Sequence, residues 1–192
     1  MIKYCPVCES SMLVDIFPDF SGTCITSDMM VLPNAELKNK CCKKCGLIFN
    51  AAGTRDFVKE FYTHSYSLMI KNKNATIQSY SNSGKITQAE RTYRVLTEFI
   101  DLPSVGKVLE VRAGKGEFIE YFKEDNVNWD IYASEPSKSV DILSEKLPNK
   151  NILNTEYNEI NLPGNFDLLV ALGVLEHDNN PLDMLIWANN YI

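Results

Sequence analysis

Residues 108–118 read Val-Leu-Glu-Val-Arg-Ala-Gly-Lys-Gly-Glu-Phe, an apolar run that ends in an acid and then breaks into two closely spaced glycines. Val108, Leu109 and Val111 suit a strand covered on both faces, while Gly114 and Gly116 let backbone approach a ligand with no Cβ in the way. From Glu117 the spacing of Phe118, Ile119, Tyr121 and Phe122 moves to a helical period. Strand, tight turn and helix start together place a small ligand over the turn, at the carboxyl end of the strand and the amino end of the helix. A dinucleotide fingerprint would need a third glycine where Ile119 stands, and Glu110 suits a cationic ligand better than a pyrophosphate.

A chain of 192 residues is long enough for one substantial core, or for a small module and a larger domain. The net charge of -6 argues against broad electrostatic binding to nucleic acid, which needs a basic face to displace counterions. No apolar run approaches a membrane span, and the first residues lack the apolar core of a secretion signal, so the expected location is cytoplasmic. In a reducing compartment, six cysteines are metal ligands or buried thiols rather than disulfides.

Cys5-Pro6-Val7-Cys8 and Cys42-Lys43-Lys44-Cys45 form two CxxC knuckles. Each places two thiolates on one tight turn, and two facing knuckles supply the four ligands of a closed tetrahedral zinc site. Such a site keeps no open position for water or substrate, so the zinc is expected to be structural. Cys41 paired with Cys45 would give CxxxC, so Cys42 is preferred, leaving Cys24 and Cys41 as non-ligands. Short strands or extended loops are expected at Met12 to Phe17, Met29 to Leu32 and Leu47 to Phe49.

Thr63 to Gly84, rich in Ser, Asn, Lys and Tyr, reads as a loop or lid with one short helix at most. Within it Tyr66 and Tyr80 read as loop anchors ahead of pocket residues, and His64 as a surface residue ahead of a base. Thr87 followed by Glu90 is a capping box, and Ala89, Tyr93, Leu96 and Ile100 share one face of a helix closed by Pro103. Later elements follow the same reasoning: a strand at Trp129 to Ser134, a helix from Pro136 to about Leu147, and a short strand at Asn151 to Leu153. A buried strand is expected at Phe166 to Leu172, then a helix from Asn179-Asn180-Pro181 with Leu182, Leu185 and Ile186 as its apolar stripe.

The run from Val108 to Gly116 resembles the first motif of the class I S-adenosylmethionine (SAM)-dependent methyltransferases: apolar, apolar, acid, apolar, Gly, x, Gly, x, Gly. Arg112 stands where that family usually has its first glycine. The CPxC knuckle, the second knuckle reading CKKCGLIF, a short helix such as Phe57 to Tyr62 and then this motif resemble bacterial methyltransferases with an amino-terminal zinc-binding domain, a group that includes sugar C-methyltransferases. The resemblance implies an α/β chain: a zinc-ribbon-like module at 1–56, a connecting loop and lead-in helix at 57–103, and a Rossmann-like methyltransferase sheet at 104–192. Of that family's seven strands about four are accounted for, so a missing carboxyl-terminal half or an oligomer is expected.

By the same resemblance Glu110, Gly114 and Gly116 belong to the cofactor site, Glu135 holds the ribose, Glu156 lies near the adenine amino group, and Leu172 and Gly173 border the cofactor. Glu176 and His177 would face the substrate mouth. His177, whose pKa can lie near neutrality, is the first candidate for a base and Glu176 the second, with a structural or helix-capping histidine as the alternative. The implied function is methyl transfer from SAM to a small molecule such as a nucleotide-linked sugar. One alternative is a non-catalytic zinc module on a truncated or degenerate fold. Another is an RNA methyltransferase gripping nucleic acid with Lys38, Lys40, Lys43 and Lys44.

Overall fold

A computed structural model describes residues 1–25, 31–53, 77–81, 84–178 and 180–192. The expected helix at Phe57 to Tyr62, together with His64, Tyr66 and Asn179, lies outside the described residues, and of Tyr80 the backbone alone is described.

Among the described residues of the amino-terminal part the regular elements are strands, with turns at the two knuckles. β1 (Leu13–Asp15) and β5 (Ile48–Asn50) flank β4 (Asn39–Cys42) in an antiparallel three-stranded sheet, while β2 (Phe20–Ile25) pairs antiparallel with β3 (Val31–Leu37). The ladder aligns Leu13 with Cys42 and Cys41 with Ile48, which brings the start of the second knuckle to the end of β4.

The segment expected to be a loop carries β6 (Ile77–Ser81), paired antiparallel with β7 (Gly84–Thr87). Ladder bonds from a neighbouring strand satisfy this backbone without an apolar period along the sequence, which is why the pattern alone did not mark it. Thr87 then caps α1 (Gln88–Phe99), its Oγ1 accepting from the Glu90 N–H at 3.1 Å. Ala89 and Tyr93 are buried as expected; Ile100 falls just past the helix, in extended backbone and exposed.

The carboxyl-terminal part is a parallel sheet in the order β10-β9-β8-β11. β8 (Gly106–Val111) and β9 (Trp129–Ser134) are joined by α2 (Glu117–Asp125); β10 (Ile152–Leu153) and β11 (Leu168–Val170) form the two edges. The apolar residues of β8 are covered on both faces. Val108 packs with Phe118, Phe122, Trp129 and Ile131 on one side, while Leu109 and Val111 pack with Tyr157, Phe166, Val174 and Met184 on the other. Tyr93 ties α1 to this core, edge-on to Phe122 at 5.9 Å and accepting from Asn126 Nδ2 at 2.9 Å.

Three expectations are corrected. The helix expected from Pro136 to Leu147 contracts to α3 (Val140–Leu143). Glu135 Oε1 accepts from the Ser137 N–H, and Ser137 Oγ accepts from the Ser139 N–H, so local side-chain bonds compete with the helix at its start. At its end, Glu145 and Lys146 bond back only three residues, to Ile142 and Leu143. β11 is shorter than Phe166 to Leu172, because the Phe166 N–H goes to the Tyr191 carbonyl and Leu172-Gly173 already turn.

The stripe of α4 (Pro181–Asn189) is also rotated from the expected one: Met184 is buried, while Leu185 and Ile186 are more than half exposed. The aromatic side chains decide the rotation. Trp187 lies 5.2 Å from Tyr157 and 5.0 Å from Tyr191, and these rings bury more area than the two aliphatic residues could. Among the described residues, no helix is long and apolar enough to cross a membrane.

Candidate metal centre and cofactor crevice

Cys5, Cys8, Cys42 and Cys45 converge, their sulfur atoms all within 4.8 Å of one another. Cys5 Sγ is 3.5 Å from Cys45 Sγ and Cys8 Sγ is 3.5 Å from Cys42 Sγ. Four thiolates about 2.3 Å from a central zinc would have sulfur–sulfur edges of about 3.8 Å, so the cluster is close to the size a tetrahedral ion requires. Cys5 and Cys42 are buried. Burial works to raise the Cys42 thiol, but the backbone N–H groups of Cys45 and Lys44 together with the Cys8 and Cys45 thiols outweigh it and hold the thiol at about 6. Cys41 turns its sulfur toward the Cys42 and Gly46 carbonyls, and Cys24 sits on β2, so neither joins the cluster.

The second site lies at the carboxyl ends of β8, β9 and β10. β8 and β11 are neighbours although they are far apart in sequence, so the strand order reverses there, the position at which open parallel sheets bind ligands. The turn after β8 is pinned to β9, with the Ala113 N–H donating to the Ser134 carbonyl at 2.9 Å. The two glycines of that turn differ. Both have left-handed backbone, but a Cβ on Gly116 would lie 2.6 Å from Leu143 Cδ1, whereas a Cβ on Gly114 would meet nothing within 4 Å. Gly116 serves the packing of α2 on α3; Gly114 leaves open space on the crevice side.

Glu135, buried at the end of β9, is held by two backbone donors. Oε2 accepts from the Gly114 N–H and Oε1 from the Ser137 N–H, each at 2.8 Å. Each carboxylate oxygen has two lone pairs, so one acceptor position per oxygen is left for a ligand. Glu110 is buried in β8, and its Oε2 has no hydrogen-bond partner among the described residues. Burial pushes its carboxyl up to about 8; the Ile119 N–H opposes the shift and the charges of Glu135 and Glu117 add to it.

Glu156, on the loop after β10, is engaged by Arg112, whose Nε and Nη2 donate to Oε2 at 3.0 and 2.8 Å. Leu172 packs against the core and Gly173 makes the left-handed turn that follows β11. Glu176 folds back toward that turn, its Oε1 3.7 Å from where a Cβ on Gly173 would lie. His177 ends the one-turn helix Leu175–His177, with its N–H donating to the Val174 carbonyl. Glu110 lies on β8, Gly114 and Gly116 in the turn after it, Glu135 just past β9 and Glu156 on the loop after β10, with Leu172 and Gly173 following the adjacent β11.

Two features were not foreseen. Arg112 pairs with Glu156; its appearance at a glycine position was the signal, but its partner is 44 residues away. Tyr157, packed on Trp187, has its hydroxyl raised to about 12 by burial and by Asp178, and nothing in its sequence context marks it.

No family model matches the chain, and no curated protein does. Among solved structures, coclaurine N-methyltransferase bound to N-methylheliamine and SAH aligns with 66% of this chain and 41% of its own, at 15% identity and a TM-score of 0.53. Plantazolicin methyltransferase BpumL in complex with a pentazolic desmethylPZN analog and SAH aligns with 54% of this chain and 40% of its own, at 20% identity and 0.43. The glycopeptide N-methyltransferase MtfA aligns with 66% and 56%, at 15% identity and 0.41. The likeness to coclaurine N-methyltransferase shows the fold alone: a parallel, Rossmann-like sheet. The chain spans about two fifths of the length of that structure.

Proposed function

We propose that this chain is the cofactor-binding part of a SAM-dependent methyltransferase acting on a small molecule, with a structural zinc ion in its amino-terminal module. The observation that carries the reading is Glu135, held by the Gly114 and Ser137 N–H groups with one acceptor position left on each oxygen. Two such positions on one carboxylate match the vicinal hydroxyls of a ribose. Gly114 supplies the open backbone beside it, and Glu110 a buried carboxyl with one oxygen that has no hydrogen-bond partner among the described residues.

SAM would supply a methyl group activated by its positive sulfonium. The residues of this chain would bind and align: Glu135 the ribose, Glu156 the adenine edge, Gly114 and Gly116 the backbone cradle, Leu172 and Gly173 the far wall. Methyl transfer is an in-line displacement, so the acceptor must be aligned and water excluded. His177, at the substrate mouth, would take the proton of a hydroxyl or carbon acceptor, with Glu176 as the second choice. A nucleotide-linked sugar is the acceptor class favoured by the sequence resemblance. Cys5, Cys8, Cys42 and Cys45 would hold zinc, since four thiolates form a soft and closed donor set.

The RNA-methyltransferase reading has less support, because Lys38 pairs with Glu36 and Lys40 with Asp15, which leaves little of a basic patch. The test is calorimetric titration of the zinc-loaded chain with SAM, with Glu135→Ala as control. Saturable binding that the substitution abolishes is expected. A folded chain that binds no SAM would instead mean a non-catalytic zinc module on a degenerate fold.

A further inference from the structure

Arg112 occupies a glycine position of the resembled motif and adopts the left-handed backbone that glycine takes without strain, at φ 53°. Its side chain leaves the turn after β8 and reaches the loop after β10, where two of its nitrogens share Glu156 Oε2 at 3.0 and 2.8 Å. β9 lies between β8 and β10 in the sheet, so this ion pair crosses the carboxyl end of β9, where Glu135 sits. The side chains are 24% and 23% exposed. That is dry enough for a two-point bond to hold and wet enough for a ligand or salt to compete with it.

We propose that Arg112 and Glu156 form a latch across the adenosine end of the crevice, which must open for the cofactor to enter and which therefore sets its affinity. The latch rests on the methyltransferase reading given above. While closed, it ties the turn that carries Gly114 to the loop that carries Glu156, and it engages the carboxylate expected to meet the adenine amino group. When it opens, that amino group replaces the guanidinium as donor to Glu156. Part of the intrinsic binding energy is thus used to break an existing ion pair, as in any site whose competent form is a minor population.

The test is calorimetric titration of the full, zinc-loaded chain with SAH, which resembles the cofactor but lacks its sulfonium charge, at low and high salt. Arg112→Gly suits the left-handed backbone and should bind SAH about threefold to tenfold more tightly than the wild type. Arg112→Lys, which keeps the charge but loses the fork, should fall between them. Glu156→Gln should weaken binding clearly in the Arg112→Gly background and much less in the wild type, where it also releases the latch. Added salt should tighten wild-type binding and leave Arg112→Gly unchanged.

If the wild type binds SAH and Arg112→Gly binds no more tightly, or if salt moves both alike, the latch is refuted while the methyltransferase reading stands. If neither folded protein binds SAH, both fall together.

Discussion

The two parts of this chain meet the same requirement, enough burial to hold a fold, by opposite means. In residues 1–53 the buried apolar residues are Cys5, Ala35, Cys42 and Ala51, while Phe17, Phe20, Ile25, Val31 and Ile48 are exposed among the described residues. From residue 106 onward Val108, Leu109, Val111, Ile119 and Phe122 are each at most 1% exposed, in a core that covers both faces of a parallel sheet. The first part is built around four sulfur atoms and the second around hydrocarbon. A module with so small a core depends on cross-links or an ion, whereas a sheet covered on both sides can stand on burial alone.

The largest expected effect is removal of the proposed zinc ion. A structural zinc ion in a small thiolate module contributes about 10 to 16 kcal/mol, so chelation, or Cys42→Ser, should unfold residues 1–53 and leave the sheet intact. Amide NMR spectra with and without chelator would show this, and a module that keeps its dispersed spectrum after chelation would break the contrast. The converse is Phe122→Ala. Emptying this fully buried ring site should cost the sheet about 3 to 5 kcal/mol in denaturant titrations while zinc stoichiometry stays unchanged.

The hydrocarbon core also holds an ionisable group. Glu110 is lifted from 4.5 to about 8, so below pH 4.5 its carboxyl is protonated in both the folded and unfolded states. Between those values the unfolded chain loses the proton while the folded chain keeps it. The sheet should therefore weaken as pH rises through this window, by up to about 1.4 kcal/mol per pH unit, and Glu110→Gln should remove that dependence in unfolding curves. An unchanged pH profile in Glu110→Gln would show that the carboxyl is solvated in the fold. The smallest effect is local: Thr87→Ala removes the cap of α1 and should cost about 1 kcal/mol, without change in zinc content.

The legible features were those in which neighbours along the chain carry the information. The strand and turn of Val108 to Gly116, the strand at Trp129 to Ser134 and the Thr87 cap are set by short apolar runs, glycine freedom and a three-residue capping spacing. The harder features depend on partners that are distant in sequence. The strand at Ile77–Ser81 draws its bonds from β7, and α3 is cut short by the Glu135 and serine side chains that take the N–H groups of its approach. For α4, two apolar stripes share the same helical period, and the rings of Tyr157 and Tyr191 select the one through Trp187.

By itself, then, the sequence determined the class of fold and the chemistry on offer: two thiolate knuckles, a buried strand ending in an acid, and a glycine turn beside a second acid. Hydrophobic period, knuckle spacing and the special backbone of glycine are properties of short stretches, and they survive without a partner. The tertiary structure alone decided which groups meet: four sulfur atoms within 4.8 Å, Glu135 on the Gly114 N–H, and Arg112 on a carboxylate 44 residues away. Those contacts are closed by the register of β4 in one sheet and of β8, β9 and β10 in the other, and register follows from the packing of whole faces, which no local pattern encodes.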